Sequence, residues 1–158
     1  MVFDEVSGGR NAVIGPLSPQ DEMALSLLAS HEINVRLNFG IGNWMGCYHW
    51  IPDSPLFSGL PCGGLAGEAY VNVRPRYVMS ELGGEVLAGS FNNSQSRLEA
   101  PTMLWYSDIE QITHGKGCLI FCQYLIFEPP SPDPMADRLL VNLISLLEAK
   151  LKEGEIHE

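Results

Sequence analysis

The side chains that could carry chemistry are spread thinly along the chain. Its cysteines are Cys47, Cys62, Cys118 and Cys122. None of their spacings is C-x-x-C, and no zinc-ribbon pattern appears. Cys118 and Cys122 lie four apart on an apparent strand, so both face the same side, and buried free thiols are the expected state. Cys62-Gly63-Gly64 invites comparison with a nucleophile turn, but Pro61 precedes it and no strand leads into it, so a strained elbow is not expected. His31, His49 and His114 are too dispersed for a metal-ligand pattern, and no metal or cofactor is expected. Glu68, Glu85, Asp108 and Glu110 cannot be paired from sequence into the two-carboxyl arrangement of a glycosidase. Gly115-Lys116-Gly117 lacks the upstream glycine and following helix of a phosphate loop and is expected to be a turn. One cluster stands out: Trp44, Tyr48, His49 and Trp50. Such a group floors a sugar site, because sugars stack their apolar faces on rings. It also fits ordinary aromatic packing under a long loop.

These residues need a scaffold, and the chain has enough material for one. At 158 residues it fits a single domain, spanning 1–158 with an irregular segment at 1–17. The apolar fraction is 46%, with three Trp, five Tyr and six Phe, which excludes disorder. The formal net charge is −10, and the basic residues are scattered. That excludes unspecific nucleic-acid binding and disfavours anionic membranes. It is compatible with a neutral ligand. Met1-Val2-Phe3-Asp4-Glu5 has no basic region and no apolar run, so no signal peptide is expected. Cys118–Phe127 is about half a membrane span. A cytoplasmic location is therefore the default expectation.

Ser18-Pro19-Gln20-Asp21 reads as a helix start, with Met23, Ala24, Leu27 and Leu28 at helical spacing. Ile33, Val35, Leu37 and Phe39 alternate as a strand does. Residues 44–69 read as a long irregular stretch. Tyr70–Val73, Glu85–Phe91, Met103–Tyr106 and Ile109–Thr113 read as short strands, and His114–Gly117 as a hairpin turn. Cys118–Phe127 is a near-continuous apolar run, expected of a strand buried on both faces. Prolines follow, then an amphipathic helix over Asp133–Lys152 with Asp133 as cap and Pro134 at its first position. Gln123, on the buried strand, must find partners or cost about 1–3 kcal/mol.

Three stretches carry a family resemblance. They are Asp53-Ser54-Pro55-Leu56-Phe57-Ser58-Gly59-Leu60-Pro61, then Tyr70-Val71-Asn72-Val73-Arg74-Pro75-Arg76-Tyr77, and finally Gly115–Gln123 followed by Asp133–Leu143. Together, over roughly residues 50–147, they resemble the C-terminal part of the class I glutamine amidotransferase-like domain. That domain occurs as an accessory unit in large glycoside hydrolases related to family 2 β-galactosidases. The resemblance implies an α/β, flavodoxin-like fold: a mostly parallel sheet flanked by helices, incomplete at its N-terminal side. A truncated domain, a fragment and a shortened relative all stay open. In such folds ligands sit beyond the carboxyl ends of the strands, and a pocket would border the linker 128–132. No position matches the family's nucleophile elbow, so no catalytic residue carries over. The resemblance thus implies a non-catalytic accessory or interaction module, partnered by a glycoside hydrolase catalytic domain or by itself. The alternatives are a carbohydrate-binding module using Trp44, Tyr48, His49 and Trp50, and a small amidotransferase-like or glycoside hydrolase-associated enzyme.

Overall fold

The computed structural model describes residues 2–40, 47–94, 102–127, 129 and 131–155. Along the chain come α1 (Val2–Ser7), β1 (Ala12–Ile14), α2 (Glu22–Ser30), β2 (Arg36–Phe39), β3 (Cys47–Ile51), β4 (Gly64–Leu65), β5 (Tyr77–Ser80), β6 (Glu85–Ser94), β7 (Thr102–His114), β8 (Gly117–Cys122) and α3 (Pro134–Glu155). The eight described strands form one sheet in the order β1-β8-β7-β6-β3-β4, with β5 joined to β7 and β2 joined to β5.

This architecture corrects the flavodoxin-like expectation. Of the described strand pairs, β1 with β8 is parallel, and the others are antiparallel. The reason lies in the connections. Parallel neighbours need a crossover of a dozen or more residues, usually a helix. Among the described residues between β3 and β8, the only helical pieces are two 3-10 turns, Pro55–Phe57 and Glu68–Tyr70. There β3 and β4, β6 and β7, and β7 and β8 fold directly back on one another. Tyr70, expected in a strand, closes the second of these turns. The segment 1–17, expected to be irregular, supplies α1 and β1.

In the C-terminal unit the apolar run is strand only as far as Cys122, short of the expected Phe127, and the helix runs Pro134–Glu155. All six positions of β8 are buried, because helices cover both faces of the sheet there. On one face Ile120 and Cys122 pack with Ala136, Leu139 and Leu143 of α3 and with the turn residues Leu56, Phe57, Tyr70 and Val73. On the other, Leu119 and Phe121 pack with Phe3 and Val6 of α1 and Leu28 of α2. Burial on both faces makes the run apolar throughout, whichever way the neighbouring strands point. The turn from β7 to β8 is tight, with Gly115 at φ +62 and His114 paired to Gly117. This is a hairpin and no phosphate loop.

Asp133 opens α3. Its side chain accepts from the Met135 backbone N–H at 2.8 Å and from Asn72 Nδ2 at 3.0 Å. These bonds, that from Asn72 first, hold its carboxyl below the ordinary 3.8. Asn142, farther along α3, donates to the backbone carbonyls of Leu56 (2.9 Å) and Ser58 (3.0 Å). The three stretches singled out in the sequence therefore meet in one place: Asp133, just before α3, and Asn142 within it hold the two loops at Asn72 and at Leu56 and Ser58. Farther on, α3 presents Val141 and Ile144 to solvent. Among the described residues no helix is long and apolar enough to cross a membrane.

Candidate functional site

The end of the sheet formed by β3, β4, β6 and β7 carries two different surfaces. Strand alternation separates neighbours on β3. Tyr48 and Trp50 point to one face, while Cys47, His49 and Ile51 point to the other. The expected cluster is thereby split, and Trp44 lies outside the described residues.

On the open face, cross-strand register assembles a row of rings. Tyr48 pairs with Phe91 on β6, and Phe91 pairs with Trp105 on β7. The Tyr48 and Phe91 rings are nearly parallel, 5.4 Å apart at 24°; Phe91 and Trp105 lie 5.2 Å apart at 48°. Beside this row runs a second, Leu65–Trp50–Gly89–Ser107. Gly89 leaves a notch between Trp50 and the first row. A Cβ built there would meet the Tyr106 carbonyl at 3.1 Å and Val86 Cγ1 at 3.4 Å, so the position is kept bare by its own neighbours. The helices on this face pack only toward the β1–β8 end. Tyr48 (47% exposed), Trp50 (46%) and Trp105 (67%) thus stand in solvent. Phe91 and Trp105 escape a reading of the chain alone, because only strand register brings them beside Tyr48.

The buried face holds a polar chain. His49 Nδ1 lies 2.7 Å from Asp108 Oδ2, and Ser90 Oγ donates to Asp108 Oδ1 at 2.8 Å. A carboxylate only accepts, so the imidazole Nδ1 carries the hydrogen. Cys47 sits beside Ser90, and burial pushes its thiol up. The placement of Asp108 depends on a bulge. Ala88 pairs with Ile109 and Gly89 with Ser107, leaving Asp108 as an extra residue in β7. A bulge re-aims a side chain. Here it sends Asp108 to the His49 face, while Glu110 stays on the opposite face. There Glu110 accepts from the Gly84 backbone N–H at 2.6 Å and from the Ser107 hydroxyl. The two carboxyls share no cleft, so the arrangement does not supply a glycosidase pair.

Among the described residues the cysteine thiols are raised rather than lowered. Cys62 is exposed in a loop, and desolvation with the neighbouring Asp53 carboxylate raises its thiol. Burial pushes Cys122 up to about 12, opposite to the lowered value a reactive thiol needs. All four cysteines are free. Among the described residues, no group of His, Cys, Asp and Glu is arranged to hold a metal ion.

Compared with known proteins, the chain matches no family model, no curated protein and no solved structure.

Proposed function

We propose that this domain is a non-catalytic binding module whose aromatic sheet face takes a neutral carbohydrate chain, in the manner of an accessory unit beside a glycoside hydrolase. One observation carries the reading: the exposed row Tyr48–Phe91–Trp105, flanked by Trp50 and the bare backbone of Gly89. The row spans two strand spacings, about 10 Å, enough for two sugar rings side by side. Ring faces and edges supply the apolar contact that the axial C–H groups of a pyranose need. Gly89 lets a ligand approach the strand closely. The net charge of −10 favours a neutral ligand over an anionic one. The accessory role rests on the sequence resemblance of the loops at 53–61 and 70–77 and of the C-terminal strand and helix.

The test is a titration of neutral oligosaccharides (gluco-, xylo-, manno- and galacto-configured) followed by tryptophan fluorescence. At least one series should shift the emission, and Trp105→Ala and Trp50→Ala should each weaken it at least tenfold. Silence across the panel would rule the reading out. The exposed Leu65 and Val86 at the rim of the same face favour a second reading: docking on a partner domain or a second copy. In that case Trp105→Ala changes sedimentation behaviour while sugars do nothing.

A further inference from the structure

A cleft of about 560 Å3 opens where β1 and β8 end side by side, and none of the aromatic row lines it. Its floor is Gln123, the first residue beyond β8, which is 2% exposed. The Gln123 Oε1 atom accepts from the Leu17 backbone N–H at 3.0 Å. That bond fixes which way the carboxamide points, with its NH2 group on the far side from Leu17. No hydrogen bond among the described residues takes those two amide hydrogens. The amide nitrogen is not a fully buried atom, so it opens on the cleft as a donor free to take a ligand.

The walls suggest one. Arg76 lines the cleft and forms no ion pair with a carboxylate among the described residues. Asp21 also lines it, but its Oδ2 is already engaged by the Ser18 N–H (2.7 Å) and hydroxyl (2.9 Å). Those bonds, the backbone one first, hold its carboxyl below the ordinary 3.8. Ser18, Gln20 and the second Asp21 oxygen also border the cleft; the free donors it offers include the Gln123 amide and the Arg76 guanidinium. The apolar part of the wall is dominated by Phe39 and Tyr77, whose rings meet edge to face at 5.7 Å. Phe39 is 63% exposed, a large apolar surface left at the rim. The position beyond the ends of parallel strands is where open sheets bind ligands, and the volume suits a small molecule.

We propose that this cleft binds a small monocarboxylate with a flat or extended apolar body. Its carboxylate accepts from Arg76 and the Gln123 amide, and its body lies against Phe39 and Tyr77. This site is separate from the proposed carbohydrate face and stands or falls independently of it.

The test uses the whole protein labelled with 15N and titrated with phenylacetate, indole-3-acetate and hexanoate. At least one should move the Gln123 side-chain amide pair and the Tyr77 ring resonances in a saturable way. Phenylacetamide, the neutral counterpart, should bind at least tenfold more weakly than phenylacetate. Arg76→Gln, at an exposed position, should weaken carboxylate binding at least tenfold, and Phe39→Ala should weaken it while leaving the fold intact by circular dichroism. Trp105→Ala should leave it unchanged. The proposal is overturned if none of the three acids moves Gln123 at concentrations on the order of 10 mM. It is equally overturned if phenylacetamide binds as well, or if Arg76→Gln has no effect.

Discussion

His49 Nδ1 and Asp108 Oδ2 stand 2.7 Å apart and join β3 to β7 across the intervening β6. The Ser90 hydroxyl of β6 completes the bridge. Three strands that carry the exposed rings on one face are thus tied together by polar bonds on the other. His49→Ala leaves a buried carboxylate short of a partner and should cost about 3 kcal/mol. Urea denaturation should show a lower midpoint at unchanged slope. Ser90→Ala removes only one neutral donor, so its cost should be smaller, about 1 kcal/mol. Equal effects for the two variants would mean that the bridge does not act as the geometry indicates.

Asn142 ties α3 to the loop at 54–60 through two backbone carbonyls. Asn142→Ala should cost about 2 kcal/mol, a fall of roughly 5 °C in Tm for a domain of this size. Asn142→Asp should cost at least as much, because a carboxylate would face two carbonyl oxygens with no hydrogen to give. An unchanged Tm in Asn142→Asp would refute the role.

Asp133 gives a pH dependence with a definite sign. Its carboxyl is held below its ordinary 3.8 by Asn72 and by the first backbone N–H groups of α3. A depressed carboxylate stabilises the fold above the unfolded value and loses that contribution as pH falls through the folded one. Stability should therefore decline below about pH 4. In Asn72→Ala the part of this decline due to Asp133 should shrink, and the variant should be weaker than the parent at pH 6. Chemical denaturation at several pH values reads both effects.

Tyr124 is buried to completeness with its hydroxyl unpartnered among the described residues. Burial, with the Asp108 carboxylate next, pushes its phenol well above the ordinary range. Removing a buried hydroxyl that has no partner recovers its desolvation penalty. Tyr124→Phe should therefore match or exceed the parent in stability, by up to about 1 kcal/mol. A clear loss would show that the hydroxyl is satisfied after all. Nearby Cys122, with its thiol near 12, should resist alkylation in the native state at pH 8, while the exposed Cys62 reacts.

The chain announced some of this and hid the rest. The strand-and-helix ending was legible because Leu119–Cys122 and Leu139–Leu143 follow periods that burial enforces locally. Strand direction was not. An apolar run reports burial on two faces, not which way the neighbours point, and β8 has one neighbour of each kind. The two stretches 103–106 and 109–113 read as separate strands because the bulge at Asp108 breaks their alternation. That same bulge places Asp108 against His49, a partner 59 positions away that no local spacing reveals. Of the aromatic site, Tyr48 and Trp50 were visible as a cluster. His49 proved to face the other way, and Phe91 and Trp105 join only through register. The helix start was expected about one turn too early: α2 begins at Glu22 with Asp21 at its N-cap position and no side-chain capping bond, because the Asp21 carboxylate is bonded back to Ser18.

The single parallel pair has a kinetic meaning. The β6–β7–β8 meander closes through short connections and can form early. Strand β1 docks onto β8 through Ala12↔Leu119, Val13↔Ile120 and Ile14↔Phe121, closing a loop of roughly a hundred residues, whose entropy must be overcome first. Of the described strands, β1 has the most distant partner in sequence and is expected to dock last. Until it arrives, the outer edge of β8 is an open template for a neighbouring chain, and crowded nascent chains are the setting in which this fold is most exposed to mispairing.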